Sequence, residues 1–266
     1  MKRLGLRERV TFALAAAVLA FGGCGKSSDL TGAGPAAQQA AEDVAVALGA
    51  SLASDPGGLL LELDGANAAL PVAVPGEAPA PAAGADTTLA LGSLMLSLAG
   101  RYYDLDDNRL DRWDPSATRA SMNLWLHGEI ESQRYHATVA RAGLLRVRGL
   151  GAAEDTLRFD GSFRDTTDAR FSSLDGERTV DLHLVASRGI AEVTRGKDAG
   201  TAPWPRSGRV SWTLSVDRYG PGPAASVEVH WESSAAATFH GASVADLEVG
   251  GRWRFRVDLR TGDIFR

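Results

Sequence analysis

The chain has 266 residues, 44% of them apolar and 23% charged, with 28 Lys+Arg against 33 Asp+Glu for a formal net charge of −5. That length fits one domain of roughly 100–200 residues with appendages, and the apolar share excludes wholesale disorder. The mild acidity argues against a nucleic-acid partner, which leaves a strongly basic footprint. The single cysteine excludes an internal disulfide framework and a cysteine-rich metal site.

The first 24 residues read as an address. Lys2, Arg3, Arg7 and Arg9 precede an apolar run from Val10 to Phe21. Its 12 residues are too short for the ~20 a spanning helix needs, but suit the core of a signal peptide. The run ends in Phe21-Gly22-Gly23-Cys24. This arrangement resembles the signal peptide and lipobox of bacterial lipoproteins. The resemblance implies cleavage before Cys24, which would then carry a thioether-linked diacylglycerol and an N-acyl chain. It also implies attachment to a cell-envelope membrane through that lipid, and Gly25 after the cysteine would favour the outer membrane. Several acyl chains hold a protein on a membrane far better than one does. The other reading is an ordinary signal peptide that happens to contain a cysteine. Removing Lys2, Arg3, Arg7, Arg9 and Glu8 leaves 24 basic and 32 acidic residues, a formal −8, so the lipid rather than surface charge must do the holding.

Three stretches are expected, 1–23 as signal peptide, 24–86 as lipidated tether, and 87–266 as a β-domain. Within the tether, Gly25 to Pro35 is small and polar. Residues 36–53 are rich in helix formers, with Val44, Leu48 and Leu52 spaced by four, and read as a short amphipathic helix. The LLLEL run after Gly57 reads as an edge strand or a segment packed on the main domain. Gly76 to Asp86 is an Ala/Pro/Gly linker.

The pattern then changes to period two. Met122, Leu124 and Leu126 alternate with Asn123, Trp125 and His127; Val210 to Val216, Val227 to Trp231 and Trp253 to Leu259 alternate likewise. Such alternation sets one face on a core and the other in solvent, as antiparallel sheets do. Gly250-Gly251 and Asp175-Gly176 separate strand-like runs and read as hairpin turns. The expected fold is therefore all-β, an antiparallel meander of roughly ten strands curling into a barrel-like or two-layer sheet, with a short N-terminal helix. Residues 159–182 and 239–259 share an order of Phe-x-Gly, strand, glycine turn and Val-Asp-Leu strand, which suggests a weak internal repeat.

Chemistry-bearing patterns are few. Asp104, Asp106 and Asn108 have the alternating oxygen spacing that opens a calcium loop, but Arg109 and Pro115 stand where that loop needs Gly and Glu. A solvated turn is the competing reading. His127, His183 and His230 share the polar phase of their strands and could meet on one sheet face as transition-metal ligands if the strands were adjacent. Arg252, Arg254, Arg256 and Arg260 form a stripe that could meet phosphate or acidic polysaccharide, or simply pair with Asp246 and Glu248 across strands. Trp212, Trp231 and Trp253 are expected in the core. Trp125, beside His127 on the polar phase, is a candidate ligand contact unless the N-terminal segment covers it.

There is no Gly-x-Ser-x-Gly elbow, HExxH motif or phosphate-binding GxxxxGK[ST] loop, and neither a cofactor nor catalysis is expected. The leading expectation is a membrane-anchored envelope lipoprotein with a structural or protein-interaction role. The alternative is a carrier of lipid or another hydrophobic ligand in the curled sheet, with the 36–53 helix as a lid, which resembles lipoprotein-carrier folds in element type only.

Overall fold

The computed structural model describes residues 26–27, 34–54, 57–70, 86–111, 114–132, 134–151, 153–197, 203–219 and 227–266. The signal peptide and Cys24 lie outside the described residues. In chain order the elements are β1 (Lys26–Ser27), α1 (Pro35–Leu52), α2 (Leu59–Ala69), β2 (Asp86–Leu91), β3 (Leu94–Tyr103), β4 (Arg109–Leu110), β5 (Arg119–Glu131), β6 (Tyr135–Arg148), β7 (Thr156–Ser172), β8 (Thr179–Gly196), β9 (Ser207–Tyr219), β10 (Val227–Thr238), β11 (Val244–Val249), β12 (Trp253–Asp258) and β13 (Ile264–Phe265).

The strands form one 13-stranded sheet, a meander in the order β13-β12-β11-β10-β9-β8-β7-β6-β5-β3-β2. Each neighbouring pair along this path is antiparallel. Both expected hairpins are present. Gly250 and Gly251 have φ of 62° and 68°, the positive values at both central positions that a tight β11–β12 turn needs, and Gly176 supplies φ 76° between β7 and β8. The compared repeat segments each span a hairpin, but β7 and β8 have 17 and 18 residues against 6 and 6 for β11 and β12.

The sheet curls without closing, since no pairing joins its edge strands β2 and β13 among the described residues. Its concave face is the buried one. Leu94, Leu96 and Leu98 on β3, Phe159 and Phe163 on β7, Val210, Trp212 and Leu214 on β9, and Phe255 and Val257 on β12 all point into one core. Trp231 is fully buried there, whereas Trp253 is only partly buried against it.

Two helices occupy the concavity. Pro35 opens α1, where its missing N–H costs nothing, and α1 packs on β11, β12 and β13 while α2 packs on β3. The helices therefore connect the two margins of the open sheet, burying Val44, Leu48, Leu52, Leu59, Leu60 and Leu63 in the same core. Full burial of each leucine contributes roughly 1.5–3 kcal/mol. The approach is close at Gly49, where a Cβ would stand 2.5 Å from the Gly262 carbonyl oxygen.

The LLLEL run packs on the main domain, the second of its two expected readings. It is the start of α2, not a strand. Leu59, Leu63, Ala66 and Ala69 are buried at three- and four-residue steps, a helical period that the contiguous leucines conceal.

Residue numbers also locate the chain's entry point. Lys26 and Ser27 pair in parallel with Val229 and His230. Through strand register, His230 faces Asp217, Asp217 faces His183 and His183 faces Asp168. The N-terminal segment thus joins the sheet at the strand ends that carry this row.

Candidate functional site

The most unusual chemistry is inside. The inner face of β6, β7 and β8 carries Arg141, Asp165 and Arg188 among apolar neighbours. Glu62 of α2 descends between the two arginines. Its Oε1 accepts from Arg141 Nη1 at 2.7 Å and its Oε2 accepts from Arg188 Nη2 at 2.8 Å. Arg188 Nε lies 3.1 Å from Asp165 Oδ2, and the Arg188 guanidinium stacks on Phe163 at 4.5 Å from the ring centre.

Burial and partners pull these groups in opposite directions. Burial pushes the Glu62 carboxyl up, but Arg188 and Arg141 more than offset this and hold it below its ordinary value. At Asp165 burial dominates over the same two arginines, and the carboxyl sits above its ordinary value. The network is also incompletely satisfied. Asp165 Oδ1, Arg141 Nε and Arg188 Nη1 have no hydrogen-bond partner. A void of about 10 Å³ lies between α1 and the sheet, bordered by Leu48, Ser51, Arg141, Asp165 and Trp212, the room of about one water.

The same charge relation recurs around the helices. Asp43 of α1, fully buried, faces Arg178 at 3.4 Å and Arg218 at 3.7 Å. Burial pushes its carboxyl up to about 6 against the pull of both arginines. Asp64 of α2 meets Arg195 at 2.7 Å, and Glu42 meets Arg266 at the chain's end. The helices bring acids and the sheet brings arginines.

The residues singled out by sequence lie elsewhere, in turns and on the convex face. Asp104 Oδ1 accepts from the backbone N–H of Asp106 and Asn108, and its Oδ2 accepts from the Asn108 side chain. These bonds hold the carboxyl below its ordinary value and organise the turn from β3 to β4. Trp125 is 45% exposed, so the described residues do not cover it. His127 lies exposed on the same strand, opposite Met95 and Ala140.

All three phase-matched histidines do share the convex face. His183 and His230 fall in one row, each with Nδ1 2.6 Å from an aspartate, Asp168 and Asp217 respectively. His127 stands apart on β5, beyond β6 and β7. Among the described residues no three His, Cys, Asp or Glu side chains gather to hold a metal ion. In the arginine stripe Arg254 reaches Glu248 at 3.6 Å, Arg256 lies in register with Asp246, and Arg252 stacks on Trp253.

Sequence reasoning passed over Glu62, Arg141, Asp165 and Arg188. A signal existed for three of them. Arg141 shares the phase of Val139 and Leu145, Arg188 that of Ala186 and Ile190, and Asp165 that of Phe163 and Ala169. A charge on the apolar phase of a long strand implies a buried partner. Scanned against protein-family models, curated proteins and solved structures, the chain matches none.

Proposed function

We propose that the protein is a lipid-anchored component of a bacterial cell envelope, held through Cys24, whose β-domain has a non-enzymatic structural or protein-interaction role. The observation that carries this reading is the helix-filled centre of the concavity. A curled sheet that carries a ligand needs internal room, and here α1 and α2 take the apolar centre, tied down by the Glu62–Arg141–Arg188 contacts. What remains available is the broad convex face and an open cavity of about 870 Å³ at one end, lined by Val46, Tyr135, Leu174 and Ile264 among others.

One observation favours the second reading, a carrier of an anionic hydrophobic ligand. The helices dock through ionic contacts, and Arg188 and Asp165 keep unpartnered polar atoms beneath them. A ligand head group could take the place of the Glu62 carboxylate once the helices move aside.

Two measurements test these readings separately. Fractionation of cells carrying Cys24→Ser should show the protein released from membranes; persistent membrane association would overturn the anchor. Native mass spectrometry of the purified Cys24→Ser chain should return the bare protein mass after incubation with envelope lipids. A stoichiometric lipid adduct would overturn the interaction role in favour of the carrier.

A further inference from the structure

Across the convex face, charged residues on neighbouring strands mostly face opposite charges. Arg170 opposes Asp181, Glu248 opposes Arg254, Asp246 opposes Arg256, and His183 and His230 oppose aspartates. One corner breaks this arrangement. Arg109, Tyr103, Arg119, Arg148 and Arg158 form a single row over β4, β3, β5, β6 and β7. One step along the same face, Arg101, Ser121, Arg146 and Asp160 form the next. Like charges directly opposite one another in a sheet are destabilising, so this corner is maintained at a cost on a chain whose net charge is negative.

The acids nearby neutralise part of it. Asp107 pairs with Arg119, and Glu192 and Asp160 are taken up by Arg158. No carboxylate forms an ion pair with Arg101, Arg109, Arg146 or Arg148 among the described residues. Between them runs a shallow groove of about 290 Å³, lined by Tyr103, Arg119, Ser121, Leu144, Arg146 and Arg148, with the Arg119 guanidinium 4.8 Å above the Tyr103 ring centre. Planar guanidinium forks suit carboxylate and phosphate groups, and their weak hydration suits contact with a polymer surface.

The position of the corner selects the partner. Ser27, three residues after Cys24 in sequence, joins the sheet at the His230–Asp217–His183–Asp168 row, with Lys26 opposite Val229. From Asp168 to Arg158 along β7 is ten residues of extended strand, roughly 33 Å, several times the ~8 Å over which physiological salt screens charge. With the strands standing away from the anchoring membrane, arginines at that distance lie beyond the reach of its surface charge. The rows near the anchor instead mix Glu129, Glu131, Asp168, Asp181 and Asp217 with Arg170, His136, His183 and His230.

We propose that this arginine corner, centred on Arg146 and Arg148, binds an acidic polysaccharide, so that the protein links its anchoring membrane to an anionic glycan. The inference rests on the anchored-envelope reading for its orientation, while the binding itself stands on the arginine rows.

The test is binding of detergent-solubilised full-length chain to polygalacturonate by calorimetry at several salt concentrations. The double variant Arg146→Ser/Arg148→Ser should bind at least tenfold more weakly, with a shallower salt dependence and an unchanged melting temperature. The control pair Arg254→Ser/Arg256→Ser, elsewhere on the same face, should bind like the parent. Equal binding by parent and Arg146→Ser/Arg148→Ser chain, absence of binding by the parent at low salt, or equal losses in both pairs would overturn the proposal. So would tighter capture of duplex DNA than of the glycan. Membrane fractionation of the Cys24→Ser chain reports on the anchor alone, so a failure there is distinguishable from a failure of glycan binding.

Discussion

The Glu62 carboxylate accepts a 2.7 Å hydrogen bond from Arg141 across 79 positions of sequence, with each side chain only 1% exposed. This contact joins a helix placed before the sheet to a strand in its middle. Arg188 completes it from the neighbouring side, so a single carboxylate neutralises charge on two strands that flank β7.

Removing that carboxylate leaves buried Arg141 without an ion-pair partner among the described residues and buried Arg188 with Asp165 alone. Glu62→Gln should therefore lose about 3–5 kcal/mol, the usual cost of breaking one side of a buried ion pair. Urea unfolding of parent and variant measures this directly. A loss under ~1 kcal/mol, the range of exposed pairs, would mean that the cluster is open to water.

Asp43 makes stability depend on pH. Its folded-state carboxyl titrates near 6 against an ordinary value of 3.8, so between those values the folded chain holds a proton that the unfolded chain releases. Stability from this group is present in acid and is lost as pH rises through about 6. Asp165, also raised by burial, acts in the same direction. Melting temperature should rise when pH is lowered from 7.5 to about 5, and Asp43→Asn should flatten that rise. An identical pH profile in the variant would remove Asp43 as its source.

Gly49 tests how tightly α1 is seated. Alanine is favoured over glycine inside a helix by about 1 kcal/mol, which alone would stabilise. The added Cβ, however, would lie 2.5 Å from the Gly262 oxygen and 2.7 Å from Ile264 Cδ1, and overpacking costs typically 1–3 kcal/mol. The clash should win, and Gly49→Ala should lower the melting temperature. An increase would show that the β12–β13 turn gives way freely.

The two helices belong to the folding unit. Deleting residues 34–70 exposes the apolar inner faces of β3, β5, β9 and β12 together with Arg141 and Arg188. The shortened chain should bind a hydrophobic dye and lose cooperative thermal unfolding. Retention of a sharp transition would identify the sheet as independently stable.

Much of this architecture was legible because strand periodicity is local. Alternation at Val210–Val216 and Trp253–Leu259 assigns one face to the core without knowledge of any partner, and Gly250-Gly251 and Asp175-Gly176 fix hairpins between neighbours. Antiparallel meanders reward such reading, since each strand pairs with the next. The α2 helix was not legible, because a run of three leucines satisfies both a buried strand and a buried helix.

The sequence by itself determined an all-β meander with polar and apolar faces. Only the tertiary structure decided what fills the curl, which charges meet inside it and which remain unmatched outside. Face assignment follows from the identities of residues two apart, whereas the pairing of Glu62 with Arg141 and Arg188, or the opposition of Arg148 to Arg119 and Arg158, depends on strand register and on the docking of distant segments. Those are properties of the folded chain as a whole.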